Sequence, residues 1–134
     1  FFINTLKEFS MKKLSFILTL LFITSISSLA FSADPALNLP SGANAEANGH
    51  NEEGISHYNQ GHYDVALKHF QMASKIDPSI GESHYNEALC LDALDQHGAA
   101  TNHFYAARKY ANGNPEILKS GILNAHAPMK REGS

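Results

Sequence analysis

The sequence predicts an all-α chain, a helical-repeat solenoid of two helix-turn-helix units closed by a C-terminal capping helix. Three observations carry this. Residues 47–80 and 81–114 resemble each other at a shift of 34 residues, a period that belongs to helical repeats. That shift lays His50 on His84, Glu53 on Glu87, Ala66 on Ala100, His69 on His103, Phe70 on Phe104, Ala73 on Ala107 and Lys75 on Lys109; chance supplies roughly two such pairs at ordinary residue frequencies. Apolar positions then follow a helical period, and turn residues fall where one helix must give way to the next.

Residues 34–44 hold Pro35, Pro40, Gly42 and small or amide side chains without an apolar period, which predicts a flexible lead-in. The folded domain is expected over 45–126. Its first helix runs from near Ala45 to Gly61, a residue suited to the left-handed position that closes helices. Tyr63, Ala66, Leu67, Phe70, Ala73 and Ile76 form one face of the second helix, which Asp77-Pro78 stops. Ser79 followed by Glu82 has the pattern of a capping box, a contact worth about 1 kcal/mol. Tyr85, Ala88, Leu89 and Leu91 give the third helix its apolar side. A turn near Asp95 to Gly98 leads to a fourth with Ala100, Phe104, Ala107 and Ala111 inward, and Asn112-Gly113-Asn114 breaks it. Pro115 fits the first position of a fifth helix after a capping Asn114; Ile117, Leu118, Ile122 and Leu123 then cover the open end. Residues 127–134 are expected to be a mobile tail.

Ahead of this domain, Met11-Lys12-Lys13 precedes an apolar run from Leu14 to Ile23 and then Thr24 to Ser28. The pattern reads as a cleaved signal peptide over 11–33, with 1–10 as an upstream extension, and it predicts a periplasmic or secreted product. The run is interrupted too early for a spanning helix, which needs about 20 apolar residues, so no membrane span is expected in the mature form. Cys90 is the sole cysteine, so stability must come from packing, with Cys90 a buried hydrophobe between Leu89 and Leu91. From Asp34 onward the chain has 12 acidic against 7 basic side chains, a formal charge of −5, with no basic stripe. That excludes nucleic acid as an expected partner.

The residues Gly54, Gly61-His62-Tyr63, Ala66, Phe70, Ala73 and Asp77-Pro78 closely resemble the tetratricopeptide repeat, a helix-turn-helix unit that stacks into a solenoid. The resemblance covers Ala47 to Asn114, with a weaker trace through Ala125. The second copy departs from it: Ala88 replaces Gly54, Asp95 and His97 replace Gly61 and Tyr63, and Asn112 replaces Pro78, which puts the shape of its turn in question. Gly121 stands one place early for a third copy, so that segment reads as a cap. About three units are normally needed for stability. Either the cap supplies much of a third unit's burial, or the open end of the first unit docks on another copy of the chain.

The resemblance implies a non-catalytic adaptor that holds a protein or peptide partner in a groove lined by the first helix of each unit. By register that groove presents Asn51, Ile55, Tyr58 and Asn59, then Tyr85, Leu89, Asp92 and Ala93; Tyr85 and Leu89 serve a core equally well. A clamp for terminal carboxylates is not expected, because Asn51 and Ile55 occupy its positions and only Lys119 supplies a cation. No cofactor is expected. No phosphate loop, nucleophile elbow or HExxH pattern is present, and Glu52-Glu53 read as a solvated face.

Eight histidines, His50, His57, His62, His69, His84, His97, His103 and His126, sustain a rival reading as a metal binder or carrier on the same scaffold. Against it, no two stand three or four residues apart, and the pairs His50 with His84 and His69 with His103 belong to adjacent stacked units. Helices pack about 8–10 Å apart, long for one shared ion. No metal ligands are therefore assigned from the sequence. A third reading is a structural subunit of an envelope complex.

Overall fold

Asn44 starts the folded domain: its Oδ1 accepts the backbone N–H groups of Glu46 and Ala47 at 2.8 and 3.2 Å, two of the donors that a helix start leaves free. The structure, a computed structural model, describes residues 33–129. The upstream extension, the leader through residue 32 and residues 130–134 of the expected tail lie outside the described residues. Among the described residues six helices follow one another: α1 (Ala45–Asn59), α2 (Tyr63–Ile76), α3 (Gly81–Ala93), α4 (His97–Lys109), α5 (Pro115–Leu118) and α6 (Gly121–His126). No strand occurs among the described residues, and no described helix is long and apolar enough to cross a membrane.

α1 packs on α2 and α3 on α4, while α2 and α3 join the two units. The first hairpin turns at Gly61, with φ of +77°; His62 N–H bonds to His57 C=O at 3.0 Å, satisfying a carbonyl at the helix end. The second turn keeps this shape despite its different sequence. Asp95 takes φ of +60° in the place of Gly61, and Gln96 N–H bonds to Leu91 C=O at 2.8 Å. Aspartate tolerates the left-handed region better than most side chains, so the departure from glycine changes the residue and leaves the turn intact.

The capping box does not form. Ser79 Oγ donates to Asp77 Oδ1 at 2.6 Å, and Ser79 N–H bonds to the same oxygen at 3.0 Å. These two bonds hold the Asp77 carboxyl below its ordinary range. The hydroxyl donates to the charged acceptor two residues upstream, and the helix starts at Gly81, one residue later than a Ser79 cap requires. The cap position passes to Ile80, which has no capping side chain, and Glu82 Oε1 instead accepts from Asn114 Nδ2 at 2.7 Å.

The terminal cap is two short helices where one was expected. Asn114 caps α5 through Glu116 N–H at 2.9 Å, with Pro115 in the first turn. Ser120 starts a new helix by accepting Leu123 N–H at 3.2 Å, so a second cap interrupts the first helix. The break turns Ile117 and Leu123 both fully inward and leaves Leu118 exposed. Ala127, expected in the tail, is fully buried and its N–H bonds to Leu123 C=O at 2.8 Å; the ordered domain reaches past residue 126.

Small residues set how closely the helices approach. Ala66, Ala73, Ala88, Ala100 and Ala107 are fully buried around Phe70 and Phe104. A Cβ on Gly54 would lie 2.5 Å from the Phe70 ring, and one on Gly81 would lie 2.6 Å from the Tyr110 carbonyl oxygen and 2.9 Å from that of Ala107. The ring at Gly54 is a side chain and can shift; the carbonyls at Gly81 belong to α4 and its end. Gly81→Ala is therefore expected to destabilise the fold by roughly 1–3 kcal/mol through overpacking. Gly98→Ala, with nothing within 4 Å of its added methyl, is the neutral control; chemical denaturation of the two variants checks the contrast.

Candidate functional site

One side of α1 and α3 is covered by the chain's own lead-in, which meets Asn51 and Tyr58 of α1 and Asn86 of α3. Residues 34–40 run back along α1, opposite to its direction, and a turn closed by Ala43 N–H to Pro40 C=O at 3.1 Å returns the chain to Asn44. The segment expected to be flexible is pinned at two places. Tyr58 Oη donates to Asp34 C=O at 2.8 Å. Leu37 is buried, and its backbone is gripped by two asparagines.

That grip is a closed network. Asn86 Oδ1 accepts Leu37 N–H at 2.7 Å, while Asn86 Nδ2 donates to Leu37 C=O at 2.8 Å and to Asn51 Oδ1 at 2.9 Å. Asn51 Nδ2 completes it by donating to Leu37 C=O at 3.0 Å. Both amides are buried, and their bonds reach the main-chain atoms of Leu37, the pattern by which a protein holds a peptide regardless of its side chains. Isolated amides would not tolerate such burial; paired in this way they are satisfied.

The residues assigned to the groove divide four ways. Asn51 and Tyr58 hold the lead-in as described. Tyr85 and Leu89 are buried in the core, Tyr85 edge-on to Phe104 and bonded through its hydroxyl to Ser120 Oγ at 3.0 Å, and Ile55 is half-buried against the same core. Burial raises the phenol pKa of Tyr58 and of Tyr85 above its ordinary value. Asn59 is exposed at the end of α1. Asp92 belongs to another cluster: its Oδ1 is hydrogen-bonded to His97 Nδ1 at 2.7 Å and lies 2.9 Å from His126 Nε2, linking α3, α4 and α6. Asn86 was not legible as a site residue, because it stands 35 residues after Asn51 and so drops out of a comparison at 34. Cys90 is fully buried, with its thiol pKa pushed up to about 12 by burial, which leaves it protonated and unreactive at neutral pH.

The histidines gather within units, where the sequence had set them between units. His50 and Glu53 of α1 meet His69 of α2, and His84 and Glu87 of α3 meet His103 of α4. The ring centroids of His50 and His69 are 6.0 Å apart, and those of His84 and His103 are 5.7 Å apart. The signal was present in the sequence: Glu53 and His69 are equidistant from Gly61, and Glu87 and His103 from Asp95. In an antiparallel hairpin such positions face one another.

Two stacked helical hairpins, a capping pair and an irregular segment seated across the first helix of each hairpin define the class of an α-helical repeat scaffold. The tetratricopeptide repeat family model matches residues 47–80, the span of α1, α2 and the turn that stops α2. The first hairpin is thus similar to a tetratricopeptide repeat, a repeat that suggests a scaffold for protein–protein interaction. Comparison with curated proteins and with solved structures gave no match.

Proposed function

We propose that the chain is a non-catalytic adaptor that holds an extended segment of a partner protein across α1 and α3, and that its own residues 34–40 occupy this place until the partner displaces them. The observation that carries the reading is the Asn86 and Asn51 grip on both the N–H and the C=O of Leu37. Bonds to the main chain give affinity for any extended peptide, and the buried position of Leu37 asks for an aliphatic anchor. The leader-like run from Leu14 to Ile23 supports an exported location for this adaptor.

Competition from a tethered segment is strong, because a short linker gives an effective concentration in the millimolar range. A labelled peptide of residues 33–41 is therefore expected to bind wild type poorly. Leu37→Asp places a charge where the anchor is buried and releases the segment. Fluorescence anisotropy should then show the peptide binding this variant roughly 10- to 100-fold more tightly than wild type, and Leu37→Asp combined with Asn86→Ala should lose the gain. A Leu37→Asp chain that stays helical by circular dichroism yet binds the peptide no better than wild type would overturn the reading.

A further inference from the structure

We infer that each helical hairpin carries a site for a divalent transition-metal ion, formed by His50, Glu53 and His69 in the first unit and by His84, Glu87 and His103 in the second. This is independent of the peptide groove. In each set one donor atom from every residue lies within 4.8 Å of the others. A tetrahedral ion with bonds of about 2.1 Å spaces its ligands roughly 3.4 Å apart, so small side-chain adjustments close either set. Two imidazoles and one carboxylate suit Zn²⁺ and its transition-metal neighbours, and do not suit Ca²⁺ or Mg²⁺, which take oxygen.

The second set shows why a cation belongs there. His84 Nε2 lies 2.7 Å from the Pro78 carbonyl oxygen, which only accepts, so Nε2 carries the proton and a neutral ring turns a lone pair out at Nδ1. That Nδ1 is buried without a hydrogen-bond partner, as are Glu87 Oε1 and His103 Nδ1. Glu87 itself is 3% exposed, and a carboxylate so far from water calls for a compensating charge. His103 Nδ1 is 3.5 Å from Glu87 Oε2. A proton on His103 would answer Glu87 and still leave the His84 lone pair facing nothing. One metal ion answers all three. The bond from His84 to a backbone carbonyl is also the outer contact that metal-bound histidines use to fix ring orientation.

The first set repeats the three residue types at the same register, with Glu53 exposed where Glu87 is buried. His69 Nδ1 is buried and lies 3.0 Å from Glu53 Oε2 without hydrogen-bond geometry, and His57 stacks on His69 with centroids 5.5 Å apart. The repeat's packing needs Gly54, Ala66, Phe70 and Ala73, and it does not need histidine or glutamate at these places. Three of the residues that coincide at the 34-residue shift are nevertheless the three ligands. The Asp92, His97 and His126 cluster has a similar composition, but none of its residues has a buried atom without a partner, and it is left out.

The test is titration of the full chain, carrying no histidine tag, with Zn²⁺ by calorimetry and with Co²⁺ by visible absorption. Two equivalents per chain are expected, with the intense visible bands of low-coordinate Co²⁺. His103→Ala and His69→Ala should each remove one equivalent, and the double variant both. Glu87→Gln, which keeps the shape of the side chain, should weaken one site by on the order of 100-fold. Bound metal should also raise the melting temperature of wild type and not of the double variant. Absence of Zn²⁺ binding, or binding that persists unchanged in a helical double variant, overturns the inference.

Discussion

Phe104→Ala is expected to lower the stability of the domain by about 3–5 kcal/mol, and Phe70→Ala by a similar amount. Both rings are fully buried. Phe104 touches Tyr85 edge-on at 5.9 Å between centroids and the His126 ring at 5.1 Å, so it binds α3, α4 and α6 together. The sites collapse poorly, because much of their walls is alanine and glycine on rigid helices, with no longer side chain to move inward. Phe70 shows this directly, with its ring seated where a Cβ of Gly54 would be. A domain of roughly 100 residues has about 5–15 kcal/mol of total stability, and each kcal/mol moves its melting point by roughly 4–8 °C. Either variant is thus expected to melt at least 12 °C below wild type, by about this conversion. With only two units the loss should appear as one cooperative transition. Thermal and urea denaturation followed by circular dichroism checks it, and a shift smaller than about 1 kcal/mol would remove the ring from the core.

The legibility of the chain followed the range of the forces involved. Local rules gave Gly61, the Asp77-Pro78 stop and Pro115 after Asn114, because left-handed closure, capping and proline geometry depend on neighbours within one turn. The same rules misread Ser79, whose hydroxyl donates to Asp77 while the helix starts one residue later than its cap requires, and the cap, where Ser120 opens a second helix. Long-range pairing was out of reach for residues 34–40. With prolines and no apolar period, the segment offers one deep anchor, Leu37, and its partners are asparagines whose spacing does not match the repeat. The histidines were visible as repeated identities, yet stacking the units was the wrong pairing to test. Reflection about Gly61 and Asp95, and not translation by 34 residues, brings Glu53 to His69 and Glu87 to His103.

Asn86→Leu is expected to cost roughly 2–4 kcal/mol and to free residues 34–40 in the same event. The substitution keeps the branched shape in a larger side chain and strands two groups, the Leu37 N–H and Asn51 Oδ1, while the Leu37 C=O loses one of its two donors. Each buried group left unpaired costs about 1–3 kcal/mol. The total is capped, because the segment can leave and let water reach these atoms; what is then lost is the burial of Leu37, about 2 kcal/mol, and the bonds themselves. Hydrogen exchange at Leu37 should accelerate while exchange at α4 amides follows only the global stability. Asn86→Asp separates the hydrogen bonds from the packing. Its carboxylate still accepts Leu37 N–H, but sets a charge against two oxygens, Leu37 C=O and Asn51 Oδ1, where the amide donated. Burial and these acceptors raise the folded-state pKa of the new carboxyl above its unfolded value. The protonated form therefore stabilises the fold fully below the unfolded pKa, about 3.9, and that contribution is lost as pH rises through the folded value. Relative to wild type, Asn86→Asp should be least stable at neutral pH and recover on acidification, whereas the Asn86→Leu penalty stays level. Equal penalties for Asn86→Asp at pH values on both sides of its titration would mean that the Asn86 donor bonds do not hold the segment in place.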